Sequence, residues 1–165
     1  MDDTPIEVII QRILQREGGI ANVGDGMGVT RWGQTPAWLE QFNLPVPLTS
    51  DDAATNYATW LRVTKLDAVV TVADVLADIV VDIAVMSSAP KAIKALQAVL
   101  GVPVDGVLGP QTLAALAAVD RRKAACGVIA WDVEFQGSLI TLDPTRARFA
   151  KGWARRMAEH IRQLS

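Results

Sequence analysis

The sequence predicts a mainly α fold, a helical bundle with one small β-hairpin lobe. Half of the 165 residues are apolar, which is enough to build a core. Apolar residues recur at helical spacing in most segments, for example at Ile9, Ile10 and Ile13. Residues 20–35 are the exception. They are rich in Gly and Asn and short of apolar residues, as expected of a β-hairpin or an irregular lobe.

Capping residues, prolines and glycines set the predicted helix boundaries. The first helix is capped by Thr4, has Pro5 in its first turn and Glu7 as its capping-box acid, and ends at Gly18 and Gly19. The same signals predict further helices from Thr35-Pro36 to Phe42, from Thr49 or Ser50 through Leu61, from Thr71 to Ser87, from Pro90 to Gly101, from Pro110 onward, from Asp120 to Gln136, and from Asp143-Pro144 to Leu164.

The charge and the cysteine content narrow the class of protein. The net charge is −2, so we expect neither a nucleic-acid partner nor an anionic-membrane partner. A lone cysteine excludes an internal disulfide, and the Ala-rich helical surroundings of Cys126 predict a buried, inert thiol. One histidine and one cysteine cannot form a zinc-ligand cluster, so we expect no metal and no cofactor.

The most apolar window, residues 68–86, is predicted to be a buried helix and not a membrane span. Asp74, Asp78 and Asp82 interrupt it, and each would cost about 2.5–3.5 kcal/mol at the centre of a transmembrane helix. We therefore expect no integral membrane segment. The N-terminus, MDDTPIEVII, is acidic where a signal peptide has a basic region, so we expect no signal peptide.

Residues 16–35, REGGIANVGDGMGVTRWGQT, hold the candidate catalytic groups. Glu17 falls at the end of a helix, where stability alone would favour Lys or Arg. Asp25 and Thr30 follow in the Gly-rich excursion. Each residue by itself also has an ordinary structural explanation. Glu17 is explained as a solvated acid before the glycines that end a helix, Asp25 as an Asx-turn residue, and Thr30 by the β propensity of threonine. Together they supply a carboxylic acid, a carboxylate and a hydroxyl, which is the inventory of a glycosidase.

In the predicted mechanism, Glu17 protonates the leaving glycosidic oxygen. Asp25 orients or activates a water molecule, or stabilises positive charge on the sugar, and Thr30 holds that water by a hydrogen bond. The predicted substrate-binding residues are Trp32, Tyr57, Gly28 and Ser87. Other aromatic residues and the one histidine are given structural roles, with Trp60, Trp131 and Trp153 mainly in the core and His160 at the surface or in packing.

Three blocks of sequence occur in the order expected of a known family. The first is EGGIANVGDGMGVTRWG, with a Glu-Gly-Gly start and later Asp, Gly and Thr positions. The second is DIAVMSSAPKAIKALQAVLGVPVDGVLGPQTLAAL, which contains the signature LQ…LGV…DG…GP.TL, and the third is FAKGWARRM. The chain resembles, on these blocks, the phage endolysin and secretion-activator muramidases of glycoside hydrolase family 108.

This resemblance implies a lysozyme-like α+β fold and hydrolysis of the bond between N-acetylmuramic acid and N-acetylglucosamine in bacterial peptidoglycan. The family's catalytic glutamate maps onto Glu17. The β-hairpin lobe is then expected to carry the active site. The resemblance also implies a lysozyme-like catalytic region at residues 1–88 and a peptidoglycan-binding helical region at residues 89–165, packed together as one globular unit, and we expect a monomer.

The chain departs from the family at Ile20, Met27, Met86 and Ser88. Met86 matters most, because a thioether cannot make the hydrogen bonds of the Asn that is common there. The alternative of a non-catalytic peptidoglycan-binding protein that has lost its activity therefore stays open.

The family resemblance also carries expectations about location and about two buried acids. Since no signal peptide is expected, the protein would be made in the cytoplasm of the bacterial host. It would act on the cell wall, in the periplasm, after holin-type release as a bacteriophage endolysin, or as part of a particle. Within the apolar helix, Asp82 is expected inside the domain, accepting hydrogen bonds from backbone or Arg, with Asp78 closer to solvent.

Overall fold

The computed structural model describes residues 3–21, 29–72 and 74–165. These residues form a mainly helical fold with eight α-helices and one two-stranded antiparallel hairpin, which confirms the predicted fold class. The chain divides into two compact units, Met1–Ala73 and Asp74–Ser165. The functional division predicted between residues 88 and 89 stays a prediction.

The first unit contains α1, β1, β2, α2 and α3. Their bounds are Pro5–Glu17 for α1, Ile20–Ala21 for β1, Thr30–Arg31 for β2, Pro36–Gln41 for α2 and Ser50–Val63 for α3, followed by a 3₁₀ turn at Leu66–Ala68. The two strands pair with Ala21 opposite Thr30. Predicted capping at Thr4, Thr35 and Thr49 is confirmed, because each hydroxyl accepts a hydrogen bond from a first-turn backbone N–H.

The core of the first unit lies between α1 and α3. The apolar face of α1 is buried at Ile9, Ile10, Ile13 and Leu14, as its spacing predicts, and α1 packs against α3. Trp60 of α3 is 1% exposed, so its predicted core role is confirmed. This packing fixes the last turn of α1, which carries Glu17.

The second unit contains five helices. They are α4 (Val75–Met86), α5 (Ala89–Leu100), α6 (Pro110–Ala118), α7 (Arg121–Leu142) and α8 (Ala150–Gln163), with a 3₁₀ turn at Pro144–Phe149. Helix α4 contacts α5, α7 and α8, and is buried at nine consecutive positions from residue 76 to residue 84. Across the described ranges, no helix combines the length and apolar character needed to cross a membrane.

Three sequence-based expectations about the second unit are wrong. Helix α4 begins at Val75 and is capped by Asp74, whose carboxylate accepts from the Ala77 backbone, and not by Thr71. Helix α7 continues past Gln136 to Leu142. Cys126 is exposed on α7, because the Ala-rich sequence around it is buried on only one side of the helix.

Candidate active site

Glu17 is held at the C-terminal end of α1. Gly18 caps the helix with a φ of 68°, a left-handed value that favours glycine, and its N–H donates to the Leu14 carbonyl at 3.1 Å. The Glu17 side chain is half-buried. A carboxyl group at this end of a helix faces the negative pole of the helix dipole, so its placement does not serve the stability of α1.

A tight turn at residues 31–34 lies against Glu17. Arg31 and Gln34 exchange backbone hydrogen bonds of 3.2 and 2.9 Å across the turn. Trp32 and Gly33 occupy its centre with φ values of 48° and 78°, as in a type I′ hairpin turn. A left-handed conformation costs a bulky residue such as Trp32 about 1–2 kcal/mol, so surrounding contacts must hold it.

Gly33 is the point where the turn meets Glu17. A Cβ atom at Gly33 would lie 2.7 Å from Cγ and 2.8 Å from Oε2 of Glu17, and 2.8 Å from the hydroxyl of Tyr57. Only a glycine fits at this distance. The backbone of the turn therefore packs directly on the carboxyl group and fixes its position.

Helix α3 anchors the same turn through buried polar side chains. Tyr57 donates its hydroxyl hydrogen to the Trp32 carbonyl at 2.7 Å. The Gln34 amide is 1% exposed; it donates to the Ala53 carbonyl at 2.9 Å and accepts from the Asn56 amide at 2.8 Å. These bonds explain how a strained tryptophan is kept in place.

The structure brings together some of the predicted site residues. Glu17, Tyr57 and the turn that carries Trp32 meet in the first unit, whereas Ser87 lies in the second unit, exposed at the end of α4. Tyr57 is 1% exposed, which gives it a positioning role here, and its contact with substrate stays a prediction.

Three more predicted residues complete the comparison. Thr30 is half-buried in β2. Asp25 and Gly28 fall outside the described residues.

The sequence did not predict a role in the site for Gly33, Gln34 and Asn56. Gly33 alone had a local signal, since a glycine directly after a short strand is typical of a tight turn.

Replacing Gly33 with Ala should disturb both the turn and Glu17. The new Cβ would collide with the Glu17 side chain, and alanine disfavours the left-handed φ. We expect a loss of about 1–2 kcal/mol in the free energy of unfolding, measured by urea titration. Gly152→Ala is the control, because a Cβ there meets nothing within 4 Å. Equal stabilities of the two variants would contradict this packing argument.

The second unit contains a separate cluster of buried acidic groups. Asp82 accepts from the Arg156 guanidinium at 2.8 Å, and its other oxygen lies 3.1 Å from His160 Nε2. The predicted Arg partner of Asp82 is therefore confirmed. The expectation that Asp78 lies closer to solvent is wrong: Asp78 is 1% exposed, against 2% for Asp82, and accepts from the Gln163 amide at 3.1 Å.

Two kinds of aromatic residue in the second unit can be compared with expectation. His160 is completely buried, which agrees with the packing alternative of its expected roles. Trp131 and Trp153 are half-buried and line cavities, whereas a core role was predicted for them. In the part of the chain that the structure describes, no group of three or more His, Cys, Asp or Glu side chains could hold a metal ion.

Asp132 on α7 is a third buried acid. It is 2% exposed and accepts a hydrogen bond from the amide of Gln136, one helical turn further on. Burial, with a smaller contribution from the neighbouring charge of Asp82, raises the pKa of Asp132 from 3.8 to about 6. The positive charges of His160 and Lys91 act in the opposite direction.

Asp132→Asn should stabilise the protein, and the gain in the free energy of unfolding should grow as the pH rises. A raised pKa means that the folded state holds the proton more tightly, so stability is lost as the pH rises from about 4 to about 6. Asparagine avoids this loss and keeps an acceptor for Gln136. We expect a gain of roughly 2 kcal/mol at pH 7 and little at pH 4, measured by urea unfolding at both pH values. A gain that does not depend on pH would contradict this explanation.

Comparison with known proteins finds one similar family and a similar solved structure. Residues 91–158 match the family described as Predicted Peptidoglycan domain. The solved structure of SagA from Brucella abortus is similar to this chain, with 25% sequence identity and a TM-score of 0.72, over 96% of this chain and 93% of the SagA chain. No curated protein sequence matches the chain. The protein therefore has a SagA-like fold, and residues 91–158 of its second unit are similar to a predicted peptidoglycan domain.

Proposed function

We propose that this protein is a lysozyme-like peptidoglycan hydrolase with Glu17 as its general acid. The observation that carries the proposal is the position of Glu17, whose half-buried side chain packs against Gly33 in a turn that the Tyr57 hydroxyl anchors. The peptidoglycan-domain match and the SagA-like fold support peptidoglycan as the substrate. The resemblance of the Glu-Gly-Gly block to family 108 muramidases supports Glu17 as the acid.

The proposed reaction cleaves the bond between N-acetylmuramic acid and N-acetylglucosamine. Glu17 donates its proton to the leaving glycosidic oxygen as that bond breaks, and a water molecule adds to the anomeric carbon. Asp25 and Thr30 hold this water and Asp25 removes its proton. The products are a muramic acid with a reducing end and a glucosamine with a new hydroxyl.

The turn at residues 31–34 supports this chemistry by positioning. It contacts Glu17 through Gly33, and it carries the half-buried Trp32 at the position directly before that glycine. An aromatic ring in that place can stack on the face of a sugar. We propose that Trp32 binds substrate, and that the enzyme acts on the bacterial cell wall after release from the cytoplasm, as an endolysin or as part of a particle.

Digestion of purified sacculi tests the reaction. Fragments reduced with borohydride before mass spectrometry should carry two added hydrogens at each muramic end. Anhydro-muramic ends would make the protein a lytic transglycosylase. New free amines would make it an amidase or peptidase. Either result would overturn the proposed roles of Asp25 and Thr30.

A second candidate function is binding to peptidoglycan without cleavage. The observation that favours it is the extent of the family match, which covers residues 91–158 and not Glu17. Met86 stands where the muramidase family often has Asn, which is consistent with lost activity. Binding of the protein to sacculi without any released fragment would favour this alternative.

A further inference from the structure

Two adjoining cavities lie on the second unit. One, of about 330 Å³, is lined by Ser88, Pro90, Lys91, Lys94, Trp131 and Phe135. The other, of about 230 Å³, shares Lys91 and Phe135 and adds Asp132, Gln136, Arg146 and Trp153 among its walls. The two cavities adjoin at these shared residues and are together named the α5–α7 cleft. Most of its lining residues fall within residues 91–158, the region that matches the peptidoglycan-domain family.

One half of the α5–α7 cleft is mainly apolar. Trp131 and Phe135, one turn apart on α7, stack with ring centroids 5.3 Å apart and an angle of 11°. Lys91 Nζ lies 4.2 Å from the centroid of the Phe135 ring, so a cation–π contact fixes the ammonium group where the two cavities join.

The other half of the cleft carries opposite charges. Asp132 is a buried carboxylate whose described hydrogen bond comes from a neutral amide, and no described cation forms an ion pair with it, unlike Asp82 with Arg156. Lys91 and Arg146 place positive charge on the same walls. Buried carboxylates are rarely left with a neutral partner alone, so the cleft is suited to a ligand that brings its own cation.

We propose that the α5–α7 cleft binds the peptide stem of peptidoglycan through the free amino-acid head group of a diamino acid. Asp132 accepts hydrogen bonds from the ammonium group of the ligand. Lys91 and Arg146 bind its carboxylate, and the Trp131–Phe135 face takes its apolar chain. A terminal carbon with both an ammonium and a carboxylate, as in diaminopimelate, matches this set of charges. A glycan strand without peptide offers carboxylates and no ammonium.

This inference rests on the proposed function only in taking peptidoglycan as the ligand. The test uses full-length protein carrying Glu17→Gln, so that no ligand is cut, and follows binding by NMR titration. The probes are a disaccharide tripeptide ending in diaminopimelate, the same compound ending in lysine, and the disaccharide without peptide. The variants are Asp132→Asn and, as a matched control, Glu134→Gln, an exposed acid on the same helix outside the cleft.

We expect the diaminopimelate compound to shift the signals of Lys91 and Phe135, and the lysine compound to bind at least about tenfold more weakly. Asp132→Asn should weaken binding of the diaminopimelate compound by a similar factor, while Glu134→Gln leaves it unchanged. Equal affinity of both variants, or equal shifts with the bare disaccharide, would overturn the proposal. Hydrolysis of sacculi without stem binding would refute this inference alone, whereas stem binding without hydrolysis would refute the proposed reaction alone.

Discussion

Replacing Glu17 with Gln is expected to slow peptidoglycan hydrolysis by at least about a hundredfold while the fold is retained. Glutamine has the same shape and keeps the contact with Gly33, but it has no acidic proton to give to the leaving oxygen. The measurement is the initial rate of muramic reducing-end release from purified sacculi, compared with the unmodified protein at the same concentration.

The matched control for this experiment is Glu40→Gln. Glu40 is an exposed acid on α2 in the same unit, and no described hydrogen bond or ion pair joins its side chain to Glu17 or to the turn at residues 31–34. Its replacement should leave the rate unchanged. Thermal unfolding of both variants checks that the fold survives. If Glu17→Gln retains hydrolysis within a few-fold of the unmodified protein, Glu17 is not the general acid.

Local signals in the sequence were sufficient to predict those helices that begin and end at recognisable capping residues. Helix α1 has its capping box at Thr4 and Glu7, and α5 ends at Gly101 with a φ of 69°, both as predicted. The start of α4 could not be found in this way. Its cap, Asp74, also forms an ion pair with Arg121, 47 residues further along the chain, and such a partner leaves no trace in the local pattern.

Tertiary contacts also explain why α7 is longer than predicted. Residues 137–142, GSLITL, include a glycine and β-branched residues that weaken the local preference for helix. The helix nevertheless continues to Leu142, where α7 packs against the 3₁₀ turn and α8. Tertiary packing at the C-terminal end of α7 therefore outweighs the weak local preference of these residues for helix.

The signature LQ…LGV…DG…GP.TL has a structural explanation in Gln97. This side chain is completely buried, donates to Asp105 at 2.7 Å and to the Thr112 hydroxyl at 3.1 Å, and accepts from the Gly106 N–H at 2.8 Å. One amide therefore ties the loop between α5 and α6 to both helices. The motif could be recognised in the sequence, but the reason for it could not.

Only those residues of the candidate site that are marked by their neighbours in the sequence could be predicted. Glu17 was found because an acid before two glycines marks the end of a helix. Gln34 and Asn56 hold the adjacent turn by a hydrogen bond between their side chains. The two residues are 22 positions apart, and no periodic pattern in the sequence predicts such a pair. The burial of Asp78 was missed for a similar reason: α4 is contacted by three helices and has no solvent face at that position.

Removing the carboxylate of Asp82 is expected to be the most damaging change to stability. Asp82→Ala leaves the Arg156 guanidinium and the fully buried His160 without the oxygens that they contact at 2.8 and 3.1 Å. Breaking a buried ion pair from one side typically costs about 3–5 kcal/mol. Asp78→Ala removes an oxygen that accepts from the exposed Gln163 amide at 3.1 Å and lies 3.6 Å from His160 Nδ1. Because both contacts are longer than the 2.8 Å contact between Asp82 and Arg156, a smaller loss of about 1–3 kcal/mol is expected.

Urea unfolding of both variants at pH 7 gives the comparison, and a double-mutant cycle between Asp82→Ala and Arg156→Met isolates their interaction. If the pair is coupled as the 2.8 Å contact indicates, the double variant should be more stable than the sum of the two single losses predicts, because the second change removes the buried charge that the first leaves behind. Equal losses at Asp78 and Asp82, with additive effects at Asp82 and Arg156, would show that the cluster is not held together by this ion pair.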